Sequence, residues 1–278
     1  ELEVWLDATK ISSANGDPIA TWSDISGNGN DFSQSSAPLI PTFNSSGPIN
    51  SGPSVEFVND HLVTSSSISN LNSTDLSWIT VLNTSNADLQ VALRSSYTTG
   101  ANIGSTTLWG LYNTSSQFIS HSRESTKPMV TNSTSFNTTT NIFTSVWNGS
   151  ADFSTYLNES LVGSQSGASA NPSGHNNITL GANSANPSLN QYSFIGDISE
   201  VIVYNTNIND AQRIILDNYL STKYSIALSS NDKYSTNNDT FYGNELAGIG
   251  REDASNEHLD AQGEGIVRIT AASLDDND

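Results

Sequence analysis

The chain has 278 residues, room for one large all-β domain or two ordinary ones with a proper buried core. Nine Lys and Arg against 28 Asp and Glu give a net charge of −19, a field that repels phosphate backbones and anionic lipid surfaces and excludes nucleic acid as a partner. The absence of cysteine excludes disulfides, thiolate metal sites and a cysteine nucleophile, and no apolar run reaches the roughly 18 residues of a membrane-inserting helix.

Asn, Ser and Thr together supply 106 residues, and short apolar runs recur between them. In chain order the predicted strands lie at 2–6, 18–22, 54–58, 77–82, 107–112, 117–121, 141–147, 153–157 and 177–180. Each is bounded by Gly, Asn, Ser or Pro, which is the rhythm of a sandwich or jelly roll. Asn158 and Glu159 stand between 155–157 and 160–162 with the spacing of a tight hairpin. From Ile198 to Tyr204 the pattern alternates strictly. It puts Ile198, Glu200, Ile202 and Tyr204 on one face, so that a glutamate shares a face with apolar neighbours and needs a neutralising partner. One helix is predicted, over 210–224. Its stripe is Ile214, Ile215, Leu216, Tyr219 and Leu220, with Asn209 as N-cap, Asp210 at the positive end of the dipole and Lys223 at the negative end.

Composition shifts near position 229. From 231 to the last residue, eleven acids face only Lys233, Arg251 and Arg268. The chain is therefore divided into a sandwich domain over 1–228 and an acidic segment over 229–278, read as the start of a second β-rich module that is cut short.

Several motifs carry a resemblance. The opening Val4-Trp5-Leu6-Asp7-Ala8, the run Ser26-Gly27-Asn28-Gly29-Asn30-Asp31, the hairpin around Asn158-Glu159 and the closing Asp197-Ile198-Ser199-Glu200-Val201 resemble laminin-G-like, concanavalin A-like jelly-roll domains over about 1–228. The family usually has Asn-Gly where this chain has Asn158-Glu159. The stretch 246–255 is similar to a β-rich module that follows such jelly rolls in large secreted bacterial proteins. The resemblance implies an all-β, two-sheet antiparallel sandwich with one C-terminal helix, an extracellular or cell-surface setting, frequent Ca²⁺ binding and glycan or adhesion roles.

Calcium takes six to eight oxygen ligands held by a tight turn. Asp24, Ser26, Asn28, Asn30 and Asp31 offer such a set around two glycines. The resemblance places this loop near the closing strand, so Asp197 or Glu200 would complete the shell, Glu200 being neutralised by the metal. The alternative is an Asx-turn loop, with Glu200 paired to an arginine. Glycoside hydrolysis needs two carboxylates facing each other across a cleft, and no strand carries such a pair. The four histidines, at 61, 121, 175 and 258, are scattered, and no G-x-S-x-G nucleophile motif occurs. The chain is accordingly expected not to be an enzyme.

Glycan binding needs exposed aromatic platforms. Tyr97, Trp109, Tyr112, Phe118 and Trp147 fall in strands that form the concave sheet of the resembled family, whereas Trp5, Trp22 and Trp78 read as core. A core place is the alternative for Trp109 and Tyr112. Arg94, Arg123 and Lys127 suit acidic sugars or, equally, nearby carboxylates. The leading expectation is a non-catalytic Ca²⁺-binding module for polysaccharides or cell-surface glycans, or for adhesion, in a larger secreted or cell-surface bacterial protein. The alternatives are a spacer domain without ligand and a polysaccharide-degrading enzyme of the same fold.

Overall fold

A computed structural model describes residues 1–72, 75–84, 90–96, 107–114, 117–122, 130–135, 140–148, 152–166, 177–182, 193–233, 248–262 and 268–276, with the strands at 107–114, 117–122 and 130–135 described as backbone. In chain order the strands are β1 (Leu2–Asp7), β2 (Thr21–Trp22), β3 (Phe32–Ser33), β4 (Thr42–Asn44), β5 (Ser54–Val58), β6 (Leu62–Thr64), β7 (Asp75–Asn83) and β8 (Gln90–Ser96). They continue with β9 (Thr107–Thr114), β10 (Gln117–Ser122), β11 (Val130–Ser135), β12 (Asn141–Asn148), β13 (Asp152–Leu157), β14 (Ser160–Ser166), β15 (Asn177–Leu180) and β16 (Ile195–Tyr204). Helix α1 (Asp210–Tyr224) follows, and β17 (Gly250–Asp253), β18 (Asn256–His258), β19 (Asp260–Gln262) and β20 (Arg268–Thr270) end the series.

Two antiparallel eight-stranded sheets form the body. The first runs β14-β13-β12-β7-β16-β5-β4, with β1 also pairing along β16; the second runs β11-β10-β9-β8-β15-β6-β3-β2. This is the expected all-β sandwich. Alternation along each strand sends one set of side chains between the sheets. Val4, Leu6, Trp22, Phe32, Phe57, Trp78, Phe143, Trp147, Phe153, Val201 and Val203 belong to that core. Trp147, read from sequence as a possible sugar platform, is thus a core residue: its ring is fully buried between the sheets.

The first sheet is covered on its outer face as well. Ile79 and Val81 of β7, Ile142 of β12 and Ile202 of β16 pack with Leu220 and Tyr224 of α1 into a second apolar layer. That explains why β7 is buried from Leu76 to Leu82 instead of alternating. The predicted helix limits agree with the structure. Asn209 accepts from the Gln212 amide, Gln212 reciprocates in a capping box, and Ser225 closes the helix in a left-handed conformation.

One predicted face is corrected. Ile198 joins the inter-sheet core with Val201 and Val203, whereas Ile202 and Tyr204 lie under the helix. The register of β16 against β7 slips between Ile198 and Glu200, and this bulge flips the strand's earlier residues to the other side. Beyond α1, β17 pairs with β18 and β19 with β20, outside both sheets. The first of these hairpins meets the helix start, where Asn209 Nδ2 donates to the Glu257 carbonyl at 2.8 Å.

Candidate binding site

The buried side of α1 is unusually polar. Arg213, Asp217, Leu220 and Tyr224 recur at i, i+4, i+7 and i+11 and are all buried, so the helix carries charges onto the covered face of the first sheet. Those charges form two clusters.

At the C-terminal end, Lys223 Nζ lies 2.7 Å from Asp7 Oδ2, 2.8 Å from Glu200 Oε2 and 3.0 Å from the Tyr219 hydroxyl. Asp7 and Glu200 face each other in the β1–β16 register and are each 1% exposed. Glu200 also accepts from Trp5 Nε1 at 2.7 Å and from the Tyr224 hydroxyl at 2.7 Å. Asp7 Oδ1 accepts from the Thr9 amide at 2.8 Å and the Thr9 hydroxyl at 2.7 Å. Burial pushes Glu200 above the usual carboxylate range despite the pull of Lys223. Burial lowers Lys223, but the charges of Glu200 and Asp7 outweigh it and raise it overall.

A groove of about 460 Å³ opens beside this cluster. Tyr219, Lys223 and Tyr224 line one side and Thr9, Asn50 and Ser51 the other. Asn50 and Ser51 both take left-handed backbone, at φ 51° and 59°, which turns the chain sharply past the groove.

At the other end of α1, Arg213 pairs with Glu159 and stands 3.6 Å from Asp217 and 3.3 Å from Asp210. Its guanidinium stacks 3.9 Å from the Tyr156 ring centre. Thr144 Oγ1 donates to Asp217 at 2.7 Å, and Asn231 Nδ2 donates to Glu159 at 2.7 Å. Complete burial, followed by the neighbouring Glu159, pushes Asp217 well above its ordinary value, so Asp217 holds a proton beside the Arg213–Glu159 pair. Glu159 sits at φ 74°. A side chain there is strained, and the departure from Asn-Gly is explained by the carboxylate's place on Arg213.

The seven expected calcium ligands are not brought to one point. Asp24 Oδ1 accepts from the amides of Trp5 at 2.8 Å and Ser26 at 2.9 Å, and Oδ2 accepts from the Ser26 hydroxyl at 2.7 Å and the Asn30 amide at 2.9 Å. Asp31 Oδ1 accepts from the Asp24 amide at 2.8 Å. Asn28 Nδ2 and Asn30 Nδ2 donate to the carbonyls of Leu2 and Glu3, both at 2.8 Å. The loop's side chains thus occupy the open backbone edge of β1, where a neighbouring strand would otherwise pair.

Glu200 pairs with the Lys223 ammonium rather than with an arginine. Asp197 goes to Ser54 Oγ at 2.6 Å. Trp5 stands between the two parts of the expected shell, giving its amide to Asp24 and its indole N–H to Glu200. The residues present do not fit a single hard cation with six or more free oxygens. Among the described residues no group of three or more His, Asp or Glu side chains is arranged to hold a metal.

Of the expected sugar contacts, Arg94 lies on β8 at 1% exposure, so its side chain is interior and offers no open surface for a ligand. Trp109 and Tyr112 lie on β9 in the second sheet, with Trp109 in register with Ser122 and Tyr112 with Ile119 and Val91; their side chains, like Tyr97 and Arg123 altogether, lie outside the described residues. His61 is buried and its Nε2 meets Gln34 Nε2 at 2.7 Å. Sequence reasoning overlooked Arg213, and it assigned Lys223 only to the helix dipole. The i+4 and i+7 spacing from Tyr219 and Leu216 to Lys223 on a helix with a buried stripe was the available signal.

No protein-family model matches the chain, and no curated protein matches it in sequence. Solved structures do resemble it. The Trypanosoma rangeli sialidase in complex with sialic acid aligns with a TM-score of 0.58 at 12% identity, over 82% of this chain and 34% of that one. The botulinum neurotoxin serotype D binding domain aligns at 0.55 and 11%, over 78% and 51%. The binding domain of Paraclostridial Mosquitocidal Protein 1 aligns at 0.53 and 13%, over 80% and 53%. The chain spans a third to about half the length of these structures. Among the described residues no helix is long and apolar enough to cross a membrane. At such identities the likeness concerns architecture alone, and what the chain shares with all three is a β-rich sandwich fold.

Proposed function

We propose that the chain is a non-catalytic carbohydrate-binding module of a secreted or cell-surface bacterial protein, of the laminin-G-like, concanavalin A-like kind. The observation that carries this reading is the groove at the end of α1. Tyr219 there stands beside the hydroxyls and amides of Thr9, Asn50, Ser51 and Ser225, with Tyr224 buried behind it, the combination of aromatic ring and hydrogen-bonding groups that a sugar requires. The nearby carboxylates Asp7 and Glu200 lie behind Lys223 and are engaged by it, so they do not reach a sugar bound in the groove. The sialidase bound to sialic acid and the two toxin binding domains of like fold support the reading. The hairpins outside both sheets support a second module starting near 229.

The test is a glycan array probed with the whole chain, followed by titration of the hits. Tyr219→Ala is expected to weaken binding at least about tenfold, as loss of an aromatic anchor does. Loss of binding in Trp109→Ala or Tyr112→Ala, with Tyr219→Ala unchanged, would move the site to the second sheet. Silence across neutral and acidic glycans would overturn the proposal in favour of a spacer.

A further inference from the structure

The cluster around Lys223 contains more than an ion pair requires. A primary amine touches a carboxyl oxygen at 2.7 Å, so nucleophile and electrophile are held side by side without a diffusional encounter. The far oxygen of that carboxyl, Asp7 Oδ1, already receives two donors, the amide and hydroxyl of Thr9. They are placed as an oxyanion hole would be. A second carboxyl, Glu200, contacts the same amine at 2.8 Å and is fixed by Trp5 Nε1 and the Tyr224 hydroxyl. The cluster is largely buried, with Tyr219 and Trp5 packed edge to face beside it.

We propose that Lys223 and Asp7 condense into an intramolecular amide, an isopeptide bond, with Glu200 carrying the protons. Glu200 takes a proton from the Lys223 ammonium and passes it to Asp7 Oδ2, and the freed lone pair attacks Cγ of the neutral carboxylic acid so formed. The tetrahedral oxyanion rests on the Thr9 donors. Glu200 then relays a second proton from nitrogen to the Oδ2 hydroxyl, which leaves as water. One N–C bond forms, one C–O bond breaks, two nitrogen protons depart in the water, and Glu200 ends as it began; no oxidant or other reactant is needed. Glu200's raised affinity for protons suits the relay. The Lys223 and Asp7 charges become one neutral amide, which relieves their desolvation; Glu200 gives up its ammonium partner and keeps the Trp5 and Tyr224 donors, and the adjoining groove gives the water an exit. Glu200 is less suited as the electrophile, because one of its oxygens has the single Trp5 donor and the other is held by Tyr224. The bond would join strand β1 to the end of α1, positions 216 apart in sequence.

Intact mass spectrometry of the denatured full chain tests this. The wild type is expected about 18 Da below its sequence mass, the loss of one water, and a digest should yield one branched peptide joining the segments around Asp7 and Lys223. Lys223→Arg keeps the charge and should show the full mass; Glu200→Gln should form the bond at least about a hundredfold more slowly. A folded wild type at full mass after days at pH 6–8 would overturn the proposal, as would a mass deficit that maps to any other pair of residues.

Discussion

Replacing Arg213 by Met is expected to destabilise the domain by about 3–5 kcal/mol, because it leaves Glu159 and Asp217 buried without a cation. In a chain of this size that is a fall in melting temperature on the order of 10 °C. The effect is asymmetric. Glu159→Gly should cost much less, since Asp217 can then release its proton and take over Arg213, and a glycine at φ 74° removes backbone strain. The triple change Arg213→Met, Glu159→Gly, Asp217→Leu should recover most of the loss, because no buried charge remains. Urea unfolding of the three variants measures all of this. A single Arg213→Met variant within about 1 kcal/mol of wild type would contradict the burial of the cluster.

Asp197 sets the second large effect. Burial raises its pKa from 3.8 to about 6, with the Ser54 hydrogen bond opposing and the Glu56 charge adding to the rise. Glu56 stands directly opposite it on β5, and Asn83 stands opposite on β7. A carboxyl with a raised folded-state pKa contributes stability that is fully present below its unfolded value near 4 and is lost as pH climbs through about 6. The two values imply about 3 kcal/mol over that window, at 1.36 kcal/mol per pH unit. Wild-type stability should therefore exceed that of Asp197→Asn by more at pH 4.5 than at pH 7.5, with the difference shrinking steadily between. A difference that does not change with pH would contradict the account of this site.

These two groups also show what was legible in the sequence. The limits of helix α1 could be read because the Asn209 cap and the stripe around Leu220 act locally, whereas its buried face could not, since Ile215, Leu216 and Tyr219 of that stripe are half-buried and Arg213 and Asp217 lie beneath the helix. The Asn158-Glu159 turn was legible for the same reason. Ile198 was misplaced because a bulge is a property of two paired strands, and nothing in β16 alone announces where β7 slips. Glu200 was correctly seen to need a counter-charge, but its partner comes from a helix 23 residues later, and a local reading cannot choose between a lysine, an arginine and a cation. The loop at 24–31 has the oxygen-rich composition of a metal site. That composition also suits a strand-edge cap, and only tertiary structure shows that its oxygens face the amides of Trp5, Ser26 and Asn30.

The acids buried under α1 are balanced from within the chain, Glu159 by Arg213 and Asp7 and Glu200 by Lys223 until any amide forms there, and the Asp24 loop is satisfied by backbone donors. Thermal unfolding recorded after exhaustive chelation with EDTA, and again in millimolar calcium, addresses it most directly. Superimposable curves are the expected result. A midpoint that rises by several degrees in calcium would show a cation where the structure places amides and a lysine, and would contradict the account.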